Sequence, residues 1–209
     1  MKKKALIFNI LLVVFEVVGL TWSMINKHGL ISFKFYTNLS NVLALIAGIL
    51  FIVRYYFFKN NIFSKICDYV KIISTIGLTV TFLVVLFVLG PNGAKTNGLN
   101  GYLDYLFPNG LLFLHVLCPI VIVISFTCFE NHKNFNNILW YLVSAVYTFI
   151  YGIIIITLVY FTNISAPYFF LNSKTMGYWP TFGYGMLFVV ASSLIAYVLV
   201  LINRKVVKD

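Results

Sequence analysis

Apolar residues run along this chain in six long blocks, and the polar residues collect between them. The blocks cover about residues 5–25, 36–57, 70–90, 110–129, 137–162 and 180–203. Each matches the roughly 20 residues that a helix needs to cross the hydrocarbon of a bilayer. The connections between them are short, so no stretch is left over for a soluble domain. The pattern predicts an all-α membrane protein: a single integral domain, residues 1–209, folded as a bundle of six transmembrane helices. Lys2, Lys3 and Lys4 ahead of the first block imitate a signal peptide. That block continues to Ile25, longer than a signal-peptide core, and Thr21-Trp22-Ser23-Met24-Ile25 contains no small-x-small cleavage site. It reads as a retained first span.

Composition strengthens this picture. Of 209 residues, 61% are hydrophobic and 10% charged, and the mean hydropathy is +0.97. A soluble domain is closer to 45–50% apolar and about 25% charged. The net charge of +10 comes from 15 Lys and Arg against 5 Asp and Glu. Its distribution excludes a nucleic-acid site. Eleven of the basic residues (Lys2, Lys3, Lys4, Arg54, Lys59, Lys65, Lys71, Lys133, Arg204, Lys205 and Lys208) fall on one side of the predicted spans. Lys27, Lys34, Lys95 and Lys174 fall on the other, and Arg54 and Lys71 stand near the ends of their blocks, so none lies deep inside a span. This asymmetry puts both termini in the cytoplasm and suits contact with anionic membrane lipids. Cys67, Cys118 and Cys128 have neither disulfide nor zinc spacing, and no metal or cofactor is expected.

Polar side chains inside a span are costly unless they face protein or water, so they mark the bundle interior. Span 2 opens Phe35-Tyr36-Thr37-Asn38-Leu39-Ser40-Asn41. Thr37, Ser40 and Asn41 share one helix face, which continues through the small residues Ala44, Ala47 and Gly48. Small residues let a neighbouring helix approach closely. Span 4 carries His115 about 8 Å along its helix from Gly110, a shallow depth similar to that of Thr37. Pro119, four residues on, removes the N–H that would bond the carbonyl of residue 115 and favours a kink. Glu16 lies deeper, near the middle of span 1, as a bundle hydrogen-bonding partner, a proton relay or a group that orients substrate. Tyr141, Ser144, Tyr147, Thr148 and Tyr151 give span 5 hydroxyls that bond between helices or contact a ligand. Gly90-Pro91-Asn92-Gly93, Pro108-Asn109-Gly110 and the 166–172 segment read as loops over an outward-facing pocket.

These pieces together resemble the androgen-induced and androgen-dependent TFPI-regulating protein family, in a compact prokaryotic form. The resemblance is carried by Phe-Tyr-Thr37-Asn-Leu-Ser-Asn41, Leu-His115-Val-Leu-Cys-Pro119, Trp140-Tyr141, Tyr147-Thr-Phe-Ile-Tyr151-Gly152 and Pro167-Tyr168-Phe-Phe-Leu171-Asn172. It spans about half the chain and implies an intramembrane threonine hydrolase that cleaves fatty acid esters of hydroxy fatty acids. By the same resemblance, Thr37 matches the nucleophile and His115 the histidine. Asn38, Asn41, Tyr147 and Tyr151 are candidates to hold the substrate or the oxyanion, and Glu16 is the candidate third member. The partner implied is a lipid-like ester. Cys118, three residues from His115, keeps open a second resemblance, to six-span lipid acyltransferases that use a cysteine. Outside enzymes, the polar interior also fits a small-molecule transporter or receptor.

Overall fold

The computed structural model describes residues 2–27, 29–57, 61–131 and 139–207. The side chains of Trp140 and Ser144, residues 132–138 with Lys133, and Lys59 and Lys208 lie outside the described residues. Helix α1 (Lys2–Lys27) crosses once and is followed by a tight 3-10 turn, Gly29–Lys34. Helix α2 (Tyr36–Tyr56) returns. Helix α3 (Asn61–Val84) continues through a π turn at Val85–Leu89 into α4 (Gly90–Leu103). The fourth span is a π turn (Leu112–Leu117), α5 (Cys118–Ile124) and a second π turn (Ser125–Phe129). Helix α6 (Leu139–Phe161), a short α7 (Ser173–Met176) and α8 (Tyr178–Val206) complete the chain. Six of these helical stretches are long and apolar enough to cross a membrane. The protein is therefore an all-α, multi-pass membrane protein. Asn9 of α1 and Asn203 of α8 both bond Glu130, so the start of the first helix and the end of the last lie at one end of the bundle.

Helix α3 is the centre of the bundle and packs on α2, α5, α6 and α8. Its Ile72, Ile76 and Leu78 are fully buried. One core cluster joins α3 to α6 and α8 around Tyr36, Phe126, Ile156 and Val200. A second joins α1, α2 and span 4 around Leu12, Ala44, Cys118 and Ile122. The small stripe of α2 receives α1: a Cβ on Gly48 would stand 2.8 Å from Val13 Cγ2.

Two expectations fail. The third span does not run 70–90 and then give way to a loop at Gly90-Pro91-Asn92-Gly93. Its helix starts at Asn61 and passes through Gly90-Pro91-Asn92-Gly93 as far as a break at Asn97 and Gly98. Pro91 would leave a carbonyl unbonded in a regular helix. The π turn before it re-pairs this stretch, with Gly90 N–H donating to Val85 O and the Tyr102 hydroxyl to Leu86 O at 3.0 Å. The chain then doubles back at Asn97 and Gly98, where Gly98 takes φ +54°. Gly93 and Gly101 touch backbone to backbone across this hairpin, with no room for a Cβ on either.

The second concerns charge. Lys71 does not sit on the membrane surface; it is buried in α3. Its ammonium lies 2.9 Å from Glu130 Oε1 and donates to Asn9 Oδ1 at 2.7 Å. Ser125 and Asn9 also donate to Glu130 Oε1, at 2.6 and 3.0 Å. A charged residue is tolerated at this depth because the counter-ion and donors on α1, α3 and span 4 replace its water.

Candidate functional site

Helix α2 begins at the end of the bundle away from the termini. Phe35 is extended (φ −82°, ψ 133°) and Tyr36 starts the helix, so Thr37 sits in its first turn. Asn38 fixes the entry by donating from Nδ2 to Ser32 O at 3.1 Å. The first N–H groups of any helix lack partners within it. Here the Tyr168 hydroxyl covers one of them, accepting from the Thr37 backbone N–H at 3.5 Å. Tyr168 is held by a parallel stack on Phe170, with centroids 5.2 Å apart, and by the edge of Phe35. Burial pushes its phenol above the ordinary tyrosine value, and the hydrogen bonds with Thr37 oppose that rise.

His115 occupies the π turn Leu112–Leu117, where Cys118 N–H reaches back five residues to Phe113 O. Its Nδ1 lies 2.5 Å from the backbone carbonyl of Tyr105. A carbonyl only accepts, so Nδ1 carries the proton and Nε2 is the basic nitrogen. Spans 2 and 4 meet at this depth through Asn41, whose Nδ2 donates to Thr37 O at 2.7 Å and to Leu114 O at 3.3 Å. One amide thus ties the residue before the histidine to the turn bearing the threonine.

Thr37, Asn38 and His115 line one cavity of about 380 Å³, together with Ser23, Ser32, Asn92, Tyr105 and Tyr168. The 166–172 segment covers it through Pro167, Tyr168 and Phe169. From the 90–93 stretch Asn92 contributes, but from a helix. Thr37, Leu89 and Tyr168 also border a second, apolar cavity of about 50 Å³ between α3, α6 and α8.

The other predicted residues are placed differently. Tyr151 lines the apolar cavity, and its hydroxyl donates to Lys34 O at 2.8 Å. Tyr147 shares a hydrogen bond with Ser40 Oγ at 3.2 Å and packs on Tyr36. Asn41 lies beneath the cavities and lines neither. Glu16 is fully buried about two turns below Ser23 and borders neither cavity. Its carboxyl faces the Cys118 thiol, and neither oxygen has a hydrogen-bond partner among the described residues. Cys118 does not share the histidine's face. The extra residue of the π turn rotates it toward α1, where it is fully buried.

Sequence reasoning missed Tyr105 and Tyr168 as site residues. Tyr105 acts through its backbone carbonyl, which no side-chain pattern reveals. Tyr168 stands in the Pro167-Tyr168 motif, but its target is 131 residues away. Among the described residues no cluster of His, Cys, Asp or Glu could hold a metal ion. No protein-family model, curated protein or solved structure matches the chain.

Proposed function

We propose that this protein is an intramembrane hydrolase of fatty-acyl esters, with Thr37 as nucleophile and His115 as general base. One observation carries the reading: Thr37 and His115 line the same cavity, with the second histidine nitrogen anchored on a backbone carbonyl. A threonine hydroxyl needs a base to become a nucleophile, and a base needs a fixed tautomer. The Tyr105 carbonyl takes the orienting role for which Glu16 was the candidate.

In the first step Thr37 Oγ1 attacks the ester carbonyl carbon while its proton passes to His115 Nε2. The tetrahedral oxyanion forms at the N-terminal end of α2, where the helix dipole favours negative charge. Asn38 on the same wall can add a donor. The intermediate collapses, the C–O bond to the alcohol breaks, and His115 returns its proton to the leaving oxygen. Water then attacks the acyl-threonine, His115 takes one of its protons, and the carboxylic acid leaves with Thr37 restored. The outer cavity has room for about ten water molecules at ~30 Å³ each, enough for the second step. An alcohol admitted in place of water would make the reaction a transfer from the same acyl-threonine. In a prokaryotic membrane the ester would be an acyl lipid, with fatty acid esters of hydroxy fatty acids as one form.

The test is covalent labelling of the purified protein with a fluorophosphonate or β-lactone probe. Labelling should vanish in Thr37→Ala, return in Thr37→Ser, and fall strongly in His115→Ala. Labelling that survives Thr37→Ala removes the proposal; labelling lost only in Cys118→Ser would favour acyl transfer through the thiol.

A further inference from the structure

Three cavities follow one another across the bundle. The outer cavity and the apolar one share Thr37, Leu89 and Tyr168. The apolar cavity and a third share Thr148, Gly152 and Gly185. The third, about 10 Å³, lies between α6 and α8 among Phe149, Phe182 and Met186. Phe149 and Met186 are exposed, on helices where the surroundings are lipid. The three cavities share walls in series, from the exposed seam of α6 and α8 to Thr37, with Gly152 and Gly185 on the wall between.

Those glycines differ from Gly19, Gly48 and Gly77 in the spans, and from Gly183, which is open but borders none of the three cavities. Gly19, Gly48 and Gly77 serve close packing: a Cβ on each would fall within 2.9 Å of a neighbouring side chain. A Cβ on Gly152 would meet nothing within 4 Å, and one on Gly185 only Ile156 Cδ1 at 3.4 Å. Helix approach does not require glycine at either place. What the missing side chains leave is the gap itself.

The inner cavity also differs from a packing defect. Thr81 lines it, is 3% exposed, and its hydroxyl has no hydrogen-bond partner among the described residues. A buried hydroxyl left unpaired costs about 1–3 kcal/mol, and an oxygen-bearing head group would satisfy it. Other wall hydroxyls are paired: Thr148 Oγ1 bonds Tyr36 and Ser192 at 2.9 and 3.0 Å, and the Tyr151 hydroxyl bonds Lys34 O. The remaining wall is apolar, with Val80, Val84, Val85, Phe170 and Phe188. This suits a single hydrocarbon chain with its oxygens at the Thr37 and Thr81 end.

We infer that the acyl chain of the substrate enters sideways from the bilayer between α6 and α8, and that Gly152 and Gly185 determine which chains are admitted. The inference rests on the assignment of Thr37 as the reacting residue, since that sets which end of the path receives the ester. The cavity as it stands holds only the first carbons of the chain. The rest lies in the seam between the two helices, so bulk at position 152 acts on long chains first.

The experiment uses the full chain in lipid nanodiscs and a palmitate probe with a terminal diazirine. Crosslinks should map to α6 around Gly152 and to α8 around Gly185. Gly152→Leu should reduce them about tenfold, as overpacking costs of 1–3 kcal/mol imply. Gly183→Leu, on the exposed face of α8 outside all three cavities, should leave them unchanged. If Gly152→Leu does not fold, Gly152→Ala serves, with a smaller reduction in the same direction. In parallel, the ratio of p-nitrophenyl palmitate to butyrate turnover should fall about tenfold in Gly152→Leu. Crosslinking blocked at Gly152 with no turnover of any ester would keep the path and remove the hydrolase reading. Thr37-dependent turnover, with crosslinks and chain-length ratio indifferent to position 152, would overturn the path and keep the hydrolase.

Discussion

Removing the ammonium of Lys71 tests whether the buried ion pair holds the bundle together at the end bearing the termini. Lys71 and Glu130 are 2.9 Å apart, and their side chains are 3% and 1% exposed. In Lys71→Met the apolar stem is retained and the charge is lost. Glu130 keeps its bonds from Ser125 and Asn9 but loses its cation. Breaking one side of a buried pair costs about 3–5 kcal/mol, and the two remaining donors place this case at about 3. At about 1.4 kcal/mol per decade, that is about a hundredfold in the unfolding constant. Glu130→Gln should also destabilise, because it strands the ammonium. The double variant Lys71→Met, Glu130→Gln carries neither charge, and its amide oxygen can still accept from Ser125. It should lie within about 1–2 kcal/mol of the parent, giving a coupling of at least about 2 kcal/mol. The assay is unfolding by titration with SDS in mixed micelles, followed by tryptophan fluorescence. A cost below about 1 kcal/mol for Lys71→Met, or a cycle with no coupling, would show that the pair does not stabilise the fold.

Other substitutions address the site and the packing. Tyr168→Phe keeps the stack on Phe170 but removes the hydroxyl that positions Thr37; ester kcat should fall about ten- to a hundredfold with KM little changed, and an unchanged kcat would refute the positioning role. The same variant should flatten the alkaline loss of stability. A phenol raised by burial stays protonated in the fold while the unfolded chain ionises, so its contribution is complete below the ordinary tyrosine value and declines as pH rises through the folded one. Asn41→Leu removes the amide between Thr37 O and Leu114 O; it should cost about 0.6–1.7 kcal/mol in the SDS titration and lower kcat more than it raises KM. Gly48→Val should cost about 1–3 kcal/mol by overpacking against Val13, whereas Gly183→Ala on the exposed face should be neutral in the same assay.

Much of the fold was legible because the length of an apolar run is a direct measure of bilayer thickness. The ends of the spans were less so. Gly90-Pro91-Asn92-Gly93 has the composition of a loop, and only a π turn and the distant Tyr102 hydroxyl let a helix pass through it. Lys71 has the composition of a surface anchor, and only Asn9 and Glu130, 62 and 59 residues away along the chain, make it an interior residue. At the site, the first turn of α2 and the shallow depth of His115 followed from residue count. The roles of Tyr105 and Tyr168 did not, since one uses a carbonyl and the other reaches a helix from a separate loop. Three residues would put His115 and Cys118 on one face at 3.6 residues per turn, but the helix there is a wider π turn.

That wider turn makes the position of the histidine a matter of counting. A single deletion between His115 and Cys118 would close this i→i+5 turn to the regular 3.6-residue one, leaving the flanking helix in register but turning His115 off its present direction. His115 would leave the Tyr105 carbonyl and face a neighbouring helix, although every residue type named at the site would still be present. A variant one residue shorter would keep its hydrophobicity, its spans and its motifs and still lose the arrangement of His115 on which the proposed hydrolysis depends.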